Sequence, residues 1–189
     1  VLEELAEAGI PDSKIRFMAA LGTHAAMDRI DFVKKLGEAT LARFPVYNHN
    51  PFFNCTYVGT TSRGTEVFIN AEVMQCDFKI TIGMVVPHPF AVFGGGGKMI
   101  LPGVASIETI VANHTMPLEE QARSDYDNNP RRLDMEEAAK LAGLDVAIEC
   151  IVNGWGDTVA LFAGAEIPAR AASVQDARTH YLATKAEDK

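Results

Sequence analysis

Two histidines and a lysine stand where regular backbone stops. His24 follows the apolar run Ile15–Leu21 through Gly22-Thr23, and His88 follows Asp77–Val86 through Pro87. Imidazole exchanges protons near neutral pH, and in α/β folds ligands gather beyond the carboxyl ends of strands. Histidines at two equivalent strand ends therefore suit an acid and a base working on one substrate. Lys98 closes the run Gly94-Gly95-Gly96-Gly97. Four consecutive glycines cost entropy on ordering, and they are justified where backbone must approach a ligand closely or take a positive φ. The run is not a G-x-x-x-x-G-K-[ST] phosphate loop, because Met99 stands where the magnesium-binding hydroxyl belongs. No G-x-G-x-x-G with a ribose-binding acid accompanies it either. Two readings stay open for the loop: a site of close approach for a nucleotide or anion at Gly94–Lys98, and a flexible surface loop. His114 lies at the far end of the helix after the loop, from where it can face Lys98 or a ligand held there. It has no His, Cys or Asp three or four residues on, so the spacing does not support a metal held by protein ligands alone.

The remaining reactive types have structural readings. His49, in Asn48-His49-Asn50-Pro51, belongs to a turn. His180, beside Arg178 and Tyr181, belongs to a surface helix. Cys76 and Cys150 lie in or next to strands and read as small buried apolar groups. Trp155, in a Gly-flanked turn, reads as packing. Neither G-x-S-x-G nor H-E-x-x-H occurs.

The elements that must position these residues alternate in type. A first helix ends at Gly9 and Pro11. A strand is predicted over 15–21, a helix over 28–36 with Asp28 as N-cap, and a strand over 44–48. Cys55–Val58 and Thr65–Ile69 flank the turn cluster Thr61-Ser62-Arg63-Gly64 and predict a hairpin. Asp77–Val86 reads as the strongest, central strand. A helix is expected over 106–113 with Ser106 at its start, and an exposed loop over 121–132. A helix over 134–142 follows, then strands over 144–152 and 158–162, a helix over 168–183 and a charged tail over 185–189. The class is α/β: a mixed, mainly parallel sheet with flanking helices and one β-hairpin.

Composition bounds the function. The 189 residues carry a net charge of -8, the wrong sign for a general nucleic-acid backbone binder or a ligand of anionic membranes. Three widely spaced cysteines are neither a disulfide framework nor a zinc knuckle, which points to the reducing cytoplasm. The first residue is Val1, and the opening reads as mid-helix, so the chain is expected to be a single-domain piece, 1–189, of something longer.

Taken together, Gly22-Thr23-His24, Tyr57-Val58-Gly59-Thr60-Thr61-Ser62-Arg63-Gly64-Thr65, Ile69-Asn70, Pro87-His88, Gly96-Gly97-Lys98, Ile100-Leu101-Pro102-Gly103 and Asn113-His114 resemble the amino-terminal domain of the nickel-dependent lactate racemase family. Asn129-Pro130 and Ala138-Ala139-x-x-Ala142-Gly143-Leu144-Asp145 fit the same pattern. The resemblance implies a nickel-pincer nucleotide, a pyridinium bisthiocarboxylate mononucleotide with Ni, joined to Lys98 beside Gly96 and Gly97. It implies His114 as the protein ligand to nickel, and His24 and His88 as the acid/base pair. The implied reaction is racemisation or epimerisation of a small 2-hydroxy acid by proton-coupled hydride transfer. A segment before Val1 and a carboxyl-terminal domain that closes the cleft would be missing, leaving the isolated piece inactive. The reading that competes with this isomerase is a non-catalytic nucleotide- or anion-binding domain built on the Gly-rich loop.

Overall fold

The computed structural model describes residues 1–181. The charged tail read at 185–189, and the end of the last helix read to Ala183, lie outside the described residues. The elements in chain order are α1 (Leu2–Glu7), β1 (Phe17–Ala19), α2 (Arg29–Leu36), α3 (Glu38–Arg43), β2 (Val46–Asn48), β3 (Cys55–Thr60), β4 (Glu66–Asn70), α4 (Ala71–Met74), β5 (Ile80–Met84), β6 (Pro87–His88) and β7 (Val92–Phe93). They continue with α5 (Ile107–Thr115), α6 (Pro130–Leu141), β8 (Val146–Val152), β9 (Thr158–Gly164) and α7 (Glu166–His180). Among the described residues no helix is long and apolar enough to cross a membrane.

The mixed α/β class holds. β1 pairs parallel with β2 and β5 parallel with β8, whereas β3–β4, β6–β7 and β8–β9 are antiparallel. The hairpin read at 55–70 is β3–β4, and two further antiparallel pairs accompany it. Asp28 caps α2 through a reciprocal box, accepting from Asp31 N at 2.9 Å while its own N–H donates to Asp31 Oδ2 at 3.2 Å.

β5 is not central. It lies at the edge of the order β5-β8-β9, and β8 is the middle strand. The alternation of Ile-Thr-Ile-Gly-Met sends Thr81 and Gly83 inward while Ile82 and Met84 remain 53% exposed, a half-covered strand. The inner face of the sheet packs on α7 through Val85, Phe93, Ile151, Val174 and Ala177. A second core joins β4 to α6 and to the segment after Lys98 through Val67, Ile69, Ile100, Leu101, Met135 and Ala138.

Other expectations change. Trp155 is 89% exposed in the β8–β9 turn rather than packed. The three cysteines are half-buried, and Cys76 follows a short helix rather than a strand. The segment 121–132 is not simply an exposed loop, since Tyr126, Asn129 and Arg132 are buried. α6 starts at Pro130, earlier than expected, because Asn129 caps it by accepting from Arg132 N at 3.0 Å and Pro130 suits the first turn.

Candidate functional site

Lys98 is presented by a buried glycine segment. Gly94–Gly97 are all buried, which removes the flexible-surface reading, and Gly96–Met99 form a short 3₁₀ turn. The chain's own atoms demand glycine at three of the four positions. A Cβ would stand 2.8 Å from Met84 O at Gly94 and 2.9 Å from Met135 O at Gly97, and at Gly95 it would collide with Glu149 Oε2. Gly95 also has φ +80°, a conformation glycine adopts freely. The glycines are thus explained first by internal packing, not by ligand approach.

A buried ion pair seats this segment. Glu149, fully buried on β8, accepts the Gly96 N–H at 2.6 Å through Oε1 and the Arg170 guanidinium at 3.0 Å through Oε2. Arg170 on α7 also donates to Phe93 O at 3.1 Å and to Gly94 O. A carboxylate therefore holds the Gly96 N–H that a phosphate loop would offer to its ligand. The sequence reading missed both residues. Their signal was one acid inside an otherwise apolar strand and one arginine among alanines.

His114 lies in the last turn of α5. Ser106 caps this helix, accepting from Thr109 N at 3.3 Å. Thr109 Oγ1 donates to Glu66 O at 2.8 Å and accepts from Phe68 N at 2.9 Å, which locks α5 to β4. Next to His114, Asn113 donates to Asp134 at 2.8 Å and to Arg131 O at 3.0 Å. Asp134, fully buried on α6, also accepts from Thr61 at 2.6 Å and Thr65 at 3.0 Å. One carboxylate thus ties the hairpin turn, α5 and α6 together.

Phe90 packs near both imidazoles. Its ring centroid is 6.0 Å from that of His88 and 5.4 Å from that of His114. The Arg131 guanidinium carbon stands 5.2 Å from the Phe90 ring centroid on the same patch.

The three groups share one electrostatic field. Burial, then the charges of Lys98 and His114, push His88 down to about 4, so its imidazole is neutral at neutral pH. Burial lowers His114 first. The Ile110 carbonyl one turn back opposes this, and Lys98 and Arg131 add to it. The Ile110 carbonyl lies close enough to favour a ring proton, yet Nδ1 of His114 is buried and has no hydrogen bond of normal length. Burial and the Arg170 charge lower Lys98, whose amine makes no hydrogen bond or ion pair among the described residues.

His24 is exposed after β1, in a turn pinned by Gly22 N donating to Gly103 O at 2.9 Å. This ties it to the segment after Lys98. Its side chain makes no hydrogen bond or aromatic contact with the other three groups among the described residues. His49 is buried and bonded at both ring nitrogens, to Ala105 O at 2.8 Å and Asn70 Nδ2 at 3.2 Å, while His180 is exposed. Among the described residues no three His, Cys, Asp or Glu side chains gather to hold a metal.

The family described as lactate racemase N-terminal domain matches residues 1–125. A lactate racemase of Thermoanaerobacterium thermosaccharolyticum is 32% identical over 80% of this chain and 37% of its own length. One from Lactiplantibacillus plantarum is 31% identical over 82% of this chain and 38% of its own. The chain thus spans well under half the length of these curated relatives. The lactate racemase apoprotein structure from the Thermoanaerobacterium species superposes with a TM-score of 0.82 over 93% of this chain and 44% of that one, at 28% identity. A Thermotoga maritima crystal structure, 20% identical, shares the fold with a TM-score of 0.75 over 94% of this chain and 49% of that one.

Proposed function

Since the chain belongs to the lactate racemase N-terminal domain family, we propose that it is the catalytic portion of a 2-hydroxy acid racemase or epimerase that works with a nickel-pincer nucleotide. A preceding segment and a carboxyl-terminal domain complete the cleft. The observation that carries this reading is the convergence of Lys98, His88 and His114 in one field, with neither the Lys98 amine nor the buried His114 Nδ1 making a hydrogen bond by distance and angle among the described residues.

These residues fit the group. Lys98 would hold it covalently, and His114 would give a ring nitrogen to the nickel. With no cluster of protein ligands among the described residues, the other donors would belong to the nucleotide. When bound, the nucleotide supplies an acceptor for the hydrogen that leaves the α-carbon. His88 and His24 serve the substrate hydroxyl oxygen from either side, one accepting its proton and the other returning it. His88 Nδ1 accepts from Phe90 N–H at 3.2 Å, so the neutral ring carries its proton on Nε2, and taking the substrate's proton there requires the ring to give up this contact and move its own proton to Nδ1. A neutral linkage at Lys98 would remove one of the charges that lower His88.

The test is the mass and nickel content of the intact protein, co-expressed with the enzymes that make the cofactor. One covalent adduct with about one nickel is expected, and none in Lys98→Ala. An adduct that survives Lys98→Ala overturns the assignment. Exchange of the substrate α-hydrogen should be lost in His24→Ala and His88→Ala. Unchanged exchange in both would remove their roles.

A further inference from the structure

The proposed chemistry leaves a deeply buried ion pair unused. Glu149 is fully buried and Arg170 is 4% exposed, on two elements, β8 and α7, that carry none of the four candidate site residues. Both engage the backbone that leads into Lys98. We infer that Glu149 and Arg170 are positioning residues for Lys98: together they grip Phe93, Gly94 and Gly96 from inside and so fix the direction in which the lysine leaves the loop.

The grip is specific in its chemistry. One carboxylate oxygen takes the Gly96 N–H and the other takes the guanidinium. The guanidinium also reaches the two consecutive carbonyls of Phe93 and Gly94. A planar fork of donors can do this, and a lysine ammonium cannot match it. The loop it holds has positive φ at both Gly95 (+80°) and Gly96 (+53°), a shape the glycines have no side chains of their own to hold. Glycines alone leave such a segment loose. The pair supplies the missing rigidity, and the lack of a Cβ at Gly95 is what lets Glu149 reach in.

A purely structural role explains this arrangement less well. Desolvating two charges is costly, and well-packed apolar residues of similar volume often serve stability as well or better. What an apolar pair cannot do is bind an amide and two carbonyls of a bare backbone. Lys98 and Arg170 also line one small cavity, so the anchor and the residue it positions are neighbours. The Arg170 charge adds to the burial that lowers the Lys98 pKa from its ordinary value.

The use of Lys98 rests on the function proposed above, but its positioning is measurable without cofactor. The test is acetylation of the intact, cofactor-free protein with an N-hydroxysuccinimide ester, mapped by peptide mass. The Lys98 rate is taken relative to exposed Lys34 and Lys35, alongside exchange of the Gly96 amide. In Glu149→Met/Arg170→Met, cooperative melting should persist, while the relative Lys98 rate and the Gly96 exchange rate each change more than threefold. Arg170→Lys, which keeps the charge and loses the fork, should do the same and answers the question if the double variant does not fold. A Lys98 ratio that changes less than threefold in the folded variants overturns the inference. So does unchanged Gly96 exchange, and so does an equal rise at Lys34 and Lys35. A failure here leaves the adduct and nickel results standing, and a failure there leaves this one standing.

Discussion

The backbone N–H of Phe90 donates to Nδ1 of His88 at 3.2 Å. A backbone amide can only donate, so Nδ1 must accept, and in the neutral ring the proton sits on Nε2. The ring of the same residue packs in a T-shape with His114, at 67°, so one residue touches one imidazole with its side chain and selects the tautomer of the other with its backbone. The tautomer of His88 is thus set by the backbone of a residue whose own side chain is unreactive.

Replacing Lys98 by Met should raise the His88 pKa. Burial is the largest cause of its fall to about 4, and the Lys98 charge comes next. Removing a nearby positive charge favours the imidazolium, so the shift is upward but stops short of the ordinary value, because burial remains. Histidine ring NMR titrations of both proteins measure it. His114, which also feels Lys98, should move the same way. An unchanged His88 curve would mean that the two groups are not coupled.

Stability should fall as pH drops below about 6.5. His88, His49 and His114 all have lowered folded pKa values, so the unfolded chain binds protons first. Their contribution is fully present above the unfolded value of 6.5 and is lost as pH falls, for His88 down to about 4. Melting temperatures between pH 7.5 and 4.5 should show this decline. His88→Leu should flatten part of it, and an equally steep slope in that variant would assign the effect to other groups.

Asp134→Asn should destabilise the chain by about 1–3 kcal/mol. The carboxylate accepts from Thr61, Thr65 and Asn113 with no exposure to solvent, and an amide has one acceptor oxygen and brings two extra donors. Urea denaturation measures the loss. Because Asn113 precedes His114, the resonance of the His114 ring should also shift. A variant with full stability would mean that water satisfies the three donors.

The strand–helix alternation, the β3–β4 hairpin and the Asp28 and Ser106 caps were legible because each rests on local pattern. The grouping of Lys98, His88 and His114 was legible as resemblance, since His114 comes from a helix that the chain had first to dock on β4. What the sequence hid was tertiary. Nothing local says that β5 lies at an edge, that Trp155 points to solvent, or that Arg132 is buried in a stretch rich in turn residues. The tetraglycine run was the instructive case. Its composition suits a ligand's approach, but the group that comes close to Gly95 is the carboxylate of Glu149, a strand residue more than fifty positions away.

Gly95→Ala and Gly154→Ala should therefore differ sharply. At Gly95 a methyl group meets Glu149 and lies 3.1 Å from Arg170 Nη1, at φ +80°. Relieving that contact means disturbing a buried ion pair, which costs about 3–5 kcal/mol when one partner is lost, in addition to about 1–2 kcal/mol for the left-handed backbone. At Gly154 nothing lies within 4 Å and φ is outside the strained range, so alanine should leave stability unchanged or raise it by about 0.4–1 kcal/mol. Chemical denaturation of the two variants side by side is the measurement. If Gly95 were kept free only for a ligand, Gly95→Ala would unfold at the same denaturant concentration as the parent and lose binding alone. That result would return the glycines to the role their sequence first suggests.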